Sequence, residues 1–354
     1  MMCLRTNFWH RPRALLTSLL LSLTVMMTST VAHPAEIKNV KIMMDWLIQS
    51  THAPFFIAQE KGYYKAEGVT VDAIDSGRGA TNVATAVAGG SHQFGYVDLP
   101  SMIRFNAQNP ATPLIAVYMS FDESPSSIIS LKQNGIAKPA DLDGKKIAGG
   151  PGTAVRDTIS ILLRAAGTPN VQINWVAVSP QLFSPMLKRG EVDGIGAFTN
   201  SQIPALLEIG VKAEDMTILK FSDFGADLYG LALVTTKKFA DENPETVRGV
   251  VRAVNHGIKD AIASPEAALK LMTTRDPLMK AEFEGVRLQI VLGHTNTPFV
   301  SKNGLSSVTA DRLKRNIDSI VSAYDLTNKP EPAAIYTDKF LPSAAERMPP
   351  KSGN

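Results

Sequence analysis

Short apolar runs and amphipathic segments alternate from about residue 39 to residue 235 of the chain. The apolar runs are bounded by glycine or polar turns, which is typical of buried strands. Between them, segments such as Ala80–Ala88 and Ala154–Ala166 place apolar residues at helical spacing. Alternation of this kind is typical of helices packed on parallel sheets, so we predict an α/β fold.

The same pattern places the individual elements. We predict strands at Val40–Asp45, Val69–Asp75, Gln93–Val97, Leu114–Phe121, Ser127–Leu131, Lys146–Gly149, Val171–Val178, Gly194–Phe198, Thr217–Ser222 and Leu231–Thr236. From about residue 237 the pattern becomes helical, with predicted helices at Asn243–Ala263, Pro265–Thr274, Lys280–Leu292 and Ala310–Tyr324. The proline-rich end from Pro330 is predicted to be a loop and a solvated tail.

One strand–helix unit occurs twice along the chain. A strand, a helix and a glycine turn precede Phe94–Asp98 in the first half and Gly194–Phe198 in the second. Each of these strands ends at a polar group just before a helix, Asp98 in one half and Thr199 with Asn200 in the other. Open α/β folds bind ligands at the carboxyl ends of their strands. Two such edges predict two lobes that face each other across a cleft.

The first 32 residues differ in composition from the rest. Three arginines precede an apolar stretch, Ala14–Val31, and small residues follow it. This is the layout of a secretory signal peptide with cleavage after Ala32 or Ala35, and a single membrane anchor is the alternative. We favour export to the periplasm because Ser and Thr interrupt the apolar stretch. The predicted parts are a signal peptide at 1–32, a first lobe at 37–123 plus 235–340, a second lobe at 126–232 and a tail at 341–354.

Charge and cysteine content exclude several classes of protein. The chain has 36 Lys and Arg against 33 Asp and Glu, and the whole excess lies in the N-terminal segment. The predicted mature chain is therefore close to neutral, which gives no indication of binding to nucleic acid or to an anionic membrane. The single cysteine, Cys3, lies in the same segment. Disulfides, thiolate metal sites and a cysteine nucleophile are thus excluded from the mature chain.

Two glycine-rich turns precede predicted helices, Gly77–Gly79 and Gly149–Thr153. Neither matches a nucleotide-binding motif. They present backbone N–H groups at a helix N-terminus, which suits a carboxylate, a sulfonate or a carbonyl oxygen. Thr153 is placed to cap its helix and Arg156 to add a charged contact. The alternative is that the glycines only form the turns.

Aromatic and polar residues cluster at the predicted strand ends. Together they predict an apolar cleft with a few polar groups, which is the usual composition of a small-molecule site. The candidate ligand-binding residues are Asp45, Trp46, His52, Gly79, Asp98, Tyr118, Thr153, Arg156, Phe198, Asn200, Asp227 and Tyr229. Core packing is the alternative for each aromatic residue. No two histidines stand at metal-ligand spacing, so we expect neither a metal nor a cofactor.

The segment from Asp45-Trp46 through His52-Ala-Pro-Phe-Phe-Ile-Ala-Gln-Glu-Lys-Gly-Tyr-Tyr64 resembles the start of the solute-binding proteins of nitrate/sulfonate/taurine-type ABC importers. It is similar above all to the branch that includes thiamine-pyrimidine precursor proteins. The resemblance continues through Gly190–Asp193 and Asn243–Arg248 and covers essentially the whole mature chain. It implies a type II periplasmic-binding-protein fold, with two α/β lobes, a ligand cleft and two hinge crossings near Phe121–Ser127 and Leu231–Thr236.

The same branch contains a pyrimidine synthase in which a histidine matching His52 is consumed as a substrate. That enzyme carries a run of cysteines, whereas the corresponding stretch here, about Gly225–Tyr229, contains none. We therefore expect a protein that is not an enzyme, with His52 donating or accepting a hydrogen bond at the ligand.

The resulting hypothesis is an exported, monomeric receptor that delivers a small organic molecule to an ABC permease and its ATPase. A synthase-like enzyme and a ligand sensor for a signalling partner are the alternatives. Arg78 and Arg156 favour an acidic ligand, whereas Asp98 and Asp227 favour an amino-pyrimidine or another donor-rich heterocycle. The sequence leaves these two ligand classes open.

Overall fold

Two five-stranded sheets organise the chain, and the computed structural model describes residues 38–350. The predicted signal peptide, both cleavage sites and Cys3 lie outside the described residues. The strands in chain order are β1 Asn39–Met43, β2 Thr70–Asp75, β3 Phe94–Asp98, β4 Leu114–Met119, β5 Ser126–Leu131, β6 Lys146–Ala148, β7 Asn174–Val176, β8 Gly194–Phe198, β9 Met216–Lys220 and β10 Leu231–Thr236. Every predicted strand is present, with ends shifted by a few residues.

The two sheets have the same strand order. Sheet 1 runs β2-β1-β3-β10-β4 and sheet 2 runs β7-β6-β8-β5-β9. In each sheet one strand, β10 or β5, is antiparallel to its neighbours. The sheets are therefore mixed and not wholly parallel, because these two strands are the ones by which the chain enters each sheet from the other. The predicted repeat of a strand–helix unit is present in both sheets.

The helices cover the sheets and fill the C-terminal part. They are α1 Ala53–Glu60, α2 Tyr63–Ala66, α3 Ala80–Ala88, α4 Leu99–Gln108, α5 Ala154–Ala165, α6 Phe183–Lys188, α7 Thr199–Glu208, α8 Lys237–Glu242, α9 Pro244–Ala263, α10 Pro265–Arg275, α11 Ala281–Thr295, α12 Pro298–Asn303, α13 Ala310–Ala323, α14 Pro332–Ile335 and α15 Ala344–Arg347. Within residues 38–350, none of these helices has the length and apolarity to cross a membrane.

The longest helix, α9, shows why the C-terminal helices pack onto sheet 1. Its residues Val247, Val250, Val251, Val254 and Ile258 recur at intervals of three or four, so they share one face. All five are buried in the main core together with the strands of sheet 1. This apolar face therefore holds α9 on sheet 1.

A loop and a solvated tail were predicted from Pro330 onward. In the structure, part of this segment packs on sheet 1. Phe340 and Ile335 are buried, and Tyr336 forms a bridge to Ala116 in β4. The Arg347 side chain donates a hydrogen bond of 2.6 Å to the carbonyl oxygen of Leu305. Proline content suggested a loose tail, but the apolar residues between the prolines find partners on sheet 1.

The chain crosses between the sheets twice, at residues 120–125 between β4 and β5 and at 221–230 between β9 and β10. The first crossing lies where it was predicted. The second precedes Leu231–Thr236, which is a strand of sheet 1 and not itself a crossing. One side chain joins both crossings. Arg312 contacts Asp122 of the first and Asp227 of the second, each at 2.7 Å between nitrogen and oxygen.

Replacing Arg312 with Met should destabilise the fold by about 3 kcal/mol, because it leaves the buried Asp122 carboxylate without its charged partner. Chemical unfolding at neutral pH measures the loss. Arg315→Met is the matched control, since Arg315 is exposed and lies 3.8 Å from Asp227. It should change stability by less than about 0.5 kcal/mol. Equal losses of stability from the two substitutions would contradict the role of Arg312 as the charged partner of Asp122.

Candidate functional site

A cleft lies where the carboxyl ends of the strands of both sheets meet. Sheet 1 contributes Asp98 at the end of β3 and residues that follow β1 and β2, and sheet 2 contributes β8 and the first turns of α5, α6 and α7. The lining residues are Asp45, Trp46, Gly79, Ala80, Asp98, Thr153, Ala154, Val155, Phe183, Gly196, Ala197, Phe198, Ser201 and Gln202. The cleft has a volume of about 40 Å³, so its walls stand close together.

Asp45 is held in the cleft wall by His52. The His52 ring is fully buried, and its Nε2 lies 2.8 Å from the Asp45 Oδ1 atom. Its Nδ1 accepts a hydrogen bond from the backbone N–H of Gln49, at 3.2 Å. Because Nδ1 is an acceptor, the proton lies on Nε2, which donates to Asp45. His52 therefore orients a carboxylate and does not line the cleft itself, contrary to the expected ligand contact.

Asp98 is the second carboxylate of the cleft. It follows β3 and accepts a hydrogen bond of 3.1 Å from the backbone N–H of Ser101, which caps α4. Its other oxygen, Oδ1, is buried and has no hydrogen-bond partner. Burial raises the pKa of Asp98 from 3.8 to about 7, and the nearby Asp157 and Asp45 add to this rise. An unpaired buried acceptor that lines a cleft is a contact point for a ligand donor.

Aromatic rings and the second sheet form the opposite side. Phe198 ends β8 and Phe183 begins α6, and both are buried. Trp46 packs against the apolar cluster of sheet 2, although it follows a strand of sheet 1. A Cβ on Gly196 in β8 would lie 3.0 Å from the Trp175 ring, so a side chain there would require that ring to shift.

The two glycine-rich turns meet each other. A Cβ on Gly79 would lie 2.8 Å from the carbonyl oxygen of Gly152, and the Thr81 N–H donates to that oxygen at 3.3 Å. The N–H of Gly79 donates to the Asp45 carbonyl at 3.0 Å. Thr153 does not cap its helix, because its hydroxyl donates to the Gly150 carbonyl. These turns therefore close against each other, and the expected anion cradle is not formed.

The structure brings together half of the predicted ligand-binding residues. The cleft is lined by Asp45, Trp46, Gly79, Asp98, Thr153 and Phe198. Asn200 lies beside the cleft, where its amide nitrogen donates to Thr51 Oγ1 at 3.0 Å. Its position joins the two sheets rather than facing a ligand.

Four predicted residues lie away from the cleft. Tyr118 is buried in sheet 1 and donates to Asn255 at 3.0 Å. Tyr229 is buried beneath Arg312, whose guanidinium carbon lies 4.1 Å from the centroid of the ring, and it does not line the cleft. Asp227 is exposed and pairs with the same arginine. Arg156 lies over the Trp175 ring and donates to the Gly149 carbonyl.

Sequence reasoning missed the helical residues of the second wall. Phe183, Ser201 and Gln202 lie in the first turns of α6 and α7. Their signal was their place directly after predicted strand ends, the same feature that identified Asp98. In the described part of the chain, no set of three or more His, Cys, Asp or Glu residues is placed to hold a metal ion.

Comparisons with known proteins agree with this architecture. The model of the family described as NMT1/THI5 like matches residues 49–268. The chain belongs to the NMT1/THI5-like family. The alkanesulfonate-binding protein SsuA from Xanthomonas axonopodis has the same fold, with a TM-score of 0.66 at 17% identity over 86% of this chain and 100% of that one. The predicted periplasmic-binding-protein fold and the resemblance to this group of proteins are confirmed.

Relatives within the family carry two kinds of name. A formylaminopyrimidine-binding protein from Halalkalibacterium halodurans is 26% identical over 77% of this chain and 82% of its own length. A 4-amino-5-hydroxymethyl-2-methylpyrimidine phosphate synthase from Legionella pneumophila is 24% identical over 86% of this chain and 92% of its own. The relatives of this chain thus carry the names of both binding proteins and enzymes.

Asp98→Asn keeps an acceptor for the Ser101 N–H but removes the charge. The native pKa is raised, so the wild-type carboxyl contributes stability below about pH 4 that is lost as the pH rises to about 7. We expect wild type to lose up to about 1.4 kcal/mol per pH unit relative to Asp98→Asn across this range. Chemical unfolding at several pH values measures the difference. Asp223→Asn, at an exposed position, is the control. A pH-independent difference between wild type and Asp98→Asn would contradict the prediction.

Proposed function

We propose that this protein is an exported solute receptor that binds a small, donor-rich nitrogen heterocycle in the cleft and delivers it to an ABC permease. The observation that carries the proposal is the chemistry of the cleft. Two carboxylates, Asp45 and Asp98, line it beside aromatic rings, and no described lysine or arginine does. Carboxylate oxygens accept hydrogen bonds and attract positive charge. Such a site favours an amino-heterocycle over a sulfonate or nitrate.

The geometry of Asp45 supports a donor-rich ligand. One of its oxygens accepts the His52 N–H, so the carboxylate is oriented before any ligand arrives. Asp98 offers a second acceptor whose Oδ1 is unpaired. A flat ring between Trp46 and the phenylalanines, with N–H groups on one edge, would satisfy both carboxylates. The name of the formylaminopyrimidine-binding relative agrees with this ligand class.

The arrangement of the two sheets supports the proposed role in transport. Because residues from both sheets line one cleft, a bound solute contacts both, and binding favours the closed arrangement of the two predicted lobes. A permease that recognises only the closed receptor then receives loaded molecules. The predicted signal peptide supports a periplasmic location for this cycle.

Calorimetry against 4-aminopyrimidines, alkanesulfonates, nitrate and flavins tests the ligand class. We expect binding of an aminopyrimidine only, weakened about tenfold or more by Asp98→Asn, because a charge-assisted hydrogen bond is lost. Trp46→Ala should weaken binding by about tenfold through loss of the aromatic wall. Asp223→Asn is the matched control and should leave the affinity within about twofold. Tight binding of a sulfonate that is indifferent to Asp98→Asn would overturn the assignment.

The pyrimidine-synthase alternative requires His52 to be consumed. In this structure His52 is fully buried, held on both ring nitrogens, and absent from the cleft wall. These contacts favour a binding protein. Intact-protein mass spectrometry after incubation, followed by peptide analysis, tests this alternative. We expect an unchanged mass, whereas a loss from the His52 peptide would establish the enzyme.

A further inference from the structure

The two sides of the molecule meet along two separate lines beside the cleft. One line, the buried seam, consists of Gln49, Thr51, Asn200, Ser201 and Arg287. The other, the glycine latch, consists of Gly79, Thr81, Arg104, Gly152 and Asp157. In both lines, residues that precede or pack on sheet 1 contact residues of the helices and turns of sheet 2.

Several hydrogen bonds cross the buried seam, although the Oδ1 atom of Asn200 is buried without a partner. Asn200 donates to Thr51 at 3.0 Å, and Gln49 donates to Ser201 at 3.0 Å. The Arg287 guanidinium donates to the carbonyl oxygens of Asn200 and Ser201, at 2.7 and 2.9 Å. Arg287 is 6% exposed, and parting the seam would leave this buried charge without those acceptors.

Helix α11 ties the seam to one side. Its Glu284 pairs with Arg287 at 3.0 Å and accepts the Ser50 backbone N–H at 2.7 Å. Further along the same helix, His294 stacks on Phe121 of the first crossing and lies 3.2 Å from Thr199. The seam is therefore continuous with a crossing, as a pivot must be.

The contacts that hold the glycine latch are weaker and more exposed to solvent than those of the buried seam. Asp157 accepts from Thr81 Oγ1 at 3.2 Å and from Arg104 at 3.2 Å. Thr81 is exposed, and the Arg104 side chain is 28% exposed. The Tyr324 hydroxyl adds a bond to the Asp157 carbonyl. Water can replace partners at such exposed positions at little cost.

We infer that the cleft opens at the glycine latch and pivots on the buried seam, so that the solute enters and leaves between Gly79 and Gly152. Both turns already border the cleft through Gly79 and Thr153. A Cβ on Gly79 would lie 2.8 Å from the carbonyl oxygen of Gly152, so a side chain at Gly79 would hold the latch apart. The inference rests on the proposed receptor function in one respect, namely that a solute passes through this opening.

Reversible crosslinking tests the route, on a Cys3→Ser background. The latch pair is Thr81→Cys with Gly152→Cys, because a Cβ at Gly152 would lie 3.2 Å from the Thr81 Cβ. The seam pair is Thr51→Cys with Asn200→Cys, and both pairs are treated with the same short thiol-specific crosslinker. We expect the latch crosslink to slow exchange of a bound 4-aminopyrimidine at least tenfold, and reductive cleavage of the crosslink to restore it. The seam crosslink should change exchange less than twofold.

Equal slowing by both crosslinks, or slowing by the seam crosslink alone, would overturn the inference. Gly152 has a φ of +80°, which disfavours cysteine. Arg104→Cys with Asp157→Cys therefore serves as a second latch pair. For each pair the uncrosslinked protein is the reference, so a folding defect is not mistaken for a blocked route.

Spin labels separate this inference from the proposed function, because they need no solute. Labels at the exposed Thr85 and Pro151 flank the latch, and labels at Leu47 and Leu182 flank the seam. In the unliganded protein, we expect a broad or lengthened distance distribution at the latch and a narrow one at the seam. The reverse pattern would refute the pivot. Opening at the latch without binding of any tested solute would retain the pivot and reject the proposed ligand class.

Discussion

A single guanidinium holds both crossings between the sheets, and the geometry of the cleft depends on it. Arg312 on α13 reaches Asp122 of the first crossing and Asp227 of the second, and its plane covers the Tyr229 ring. Asp122 also accepts the Thr297 hydroxyl at 2.5 Å. Two chain segments far apart in sequence are thereby kept side by side. Since each crossing joins a strand of sheet 1 to a strand of sheet 2, this cluster of charges helps to fix the relative position of the two sheets.

The repeated strand order explains why the cleft contains the residues that it does. In both sheets the third strand of the repeat ends at the cleft, β3 at Asp98 and β8 at Phe198. The two ends differ in chemistry: one presents a carboxylate and the other an aromatic ring. Together with Asp45, whose orientation is set by a buried histidine, they form one polar wall and one apolar wall. That asymmetry favours a flat ligand with donors on a single edge.

The candidate site was predictable where a residue follows a strand directly. Asp45, Trp46, Asp98 and Phe198 were found in this way, because the carboxyl ends of strands necessarily meet at one edge. Tyr118 does not line the cleft, because side chains alternate along a strand and its ring faces α9. Asp227 and Tyr229 contact Arg312 instead of lining the cleft, and this partner lies more than eighty residues further along the chain. The local sequence pattern therefore cannot predict such a pairing.

The sequence by itself determined the elements, the two-fold repeat and the presence of a cleft, since these follow from hydrophobic periodicity and turn residues that act over short distances. It also determined that no cysteine chemistry is available after residue 3. Only the tertiary structure decided that His52 orients Asp45, that Asp98 keeps an unpaired oxygen, and that the two glycine turns close on each other. These outcomes depend on side chains from distant segments competing for the same donors and the same space.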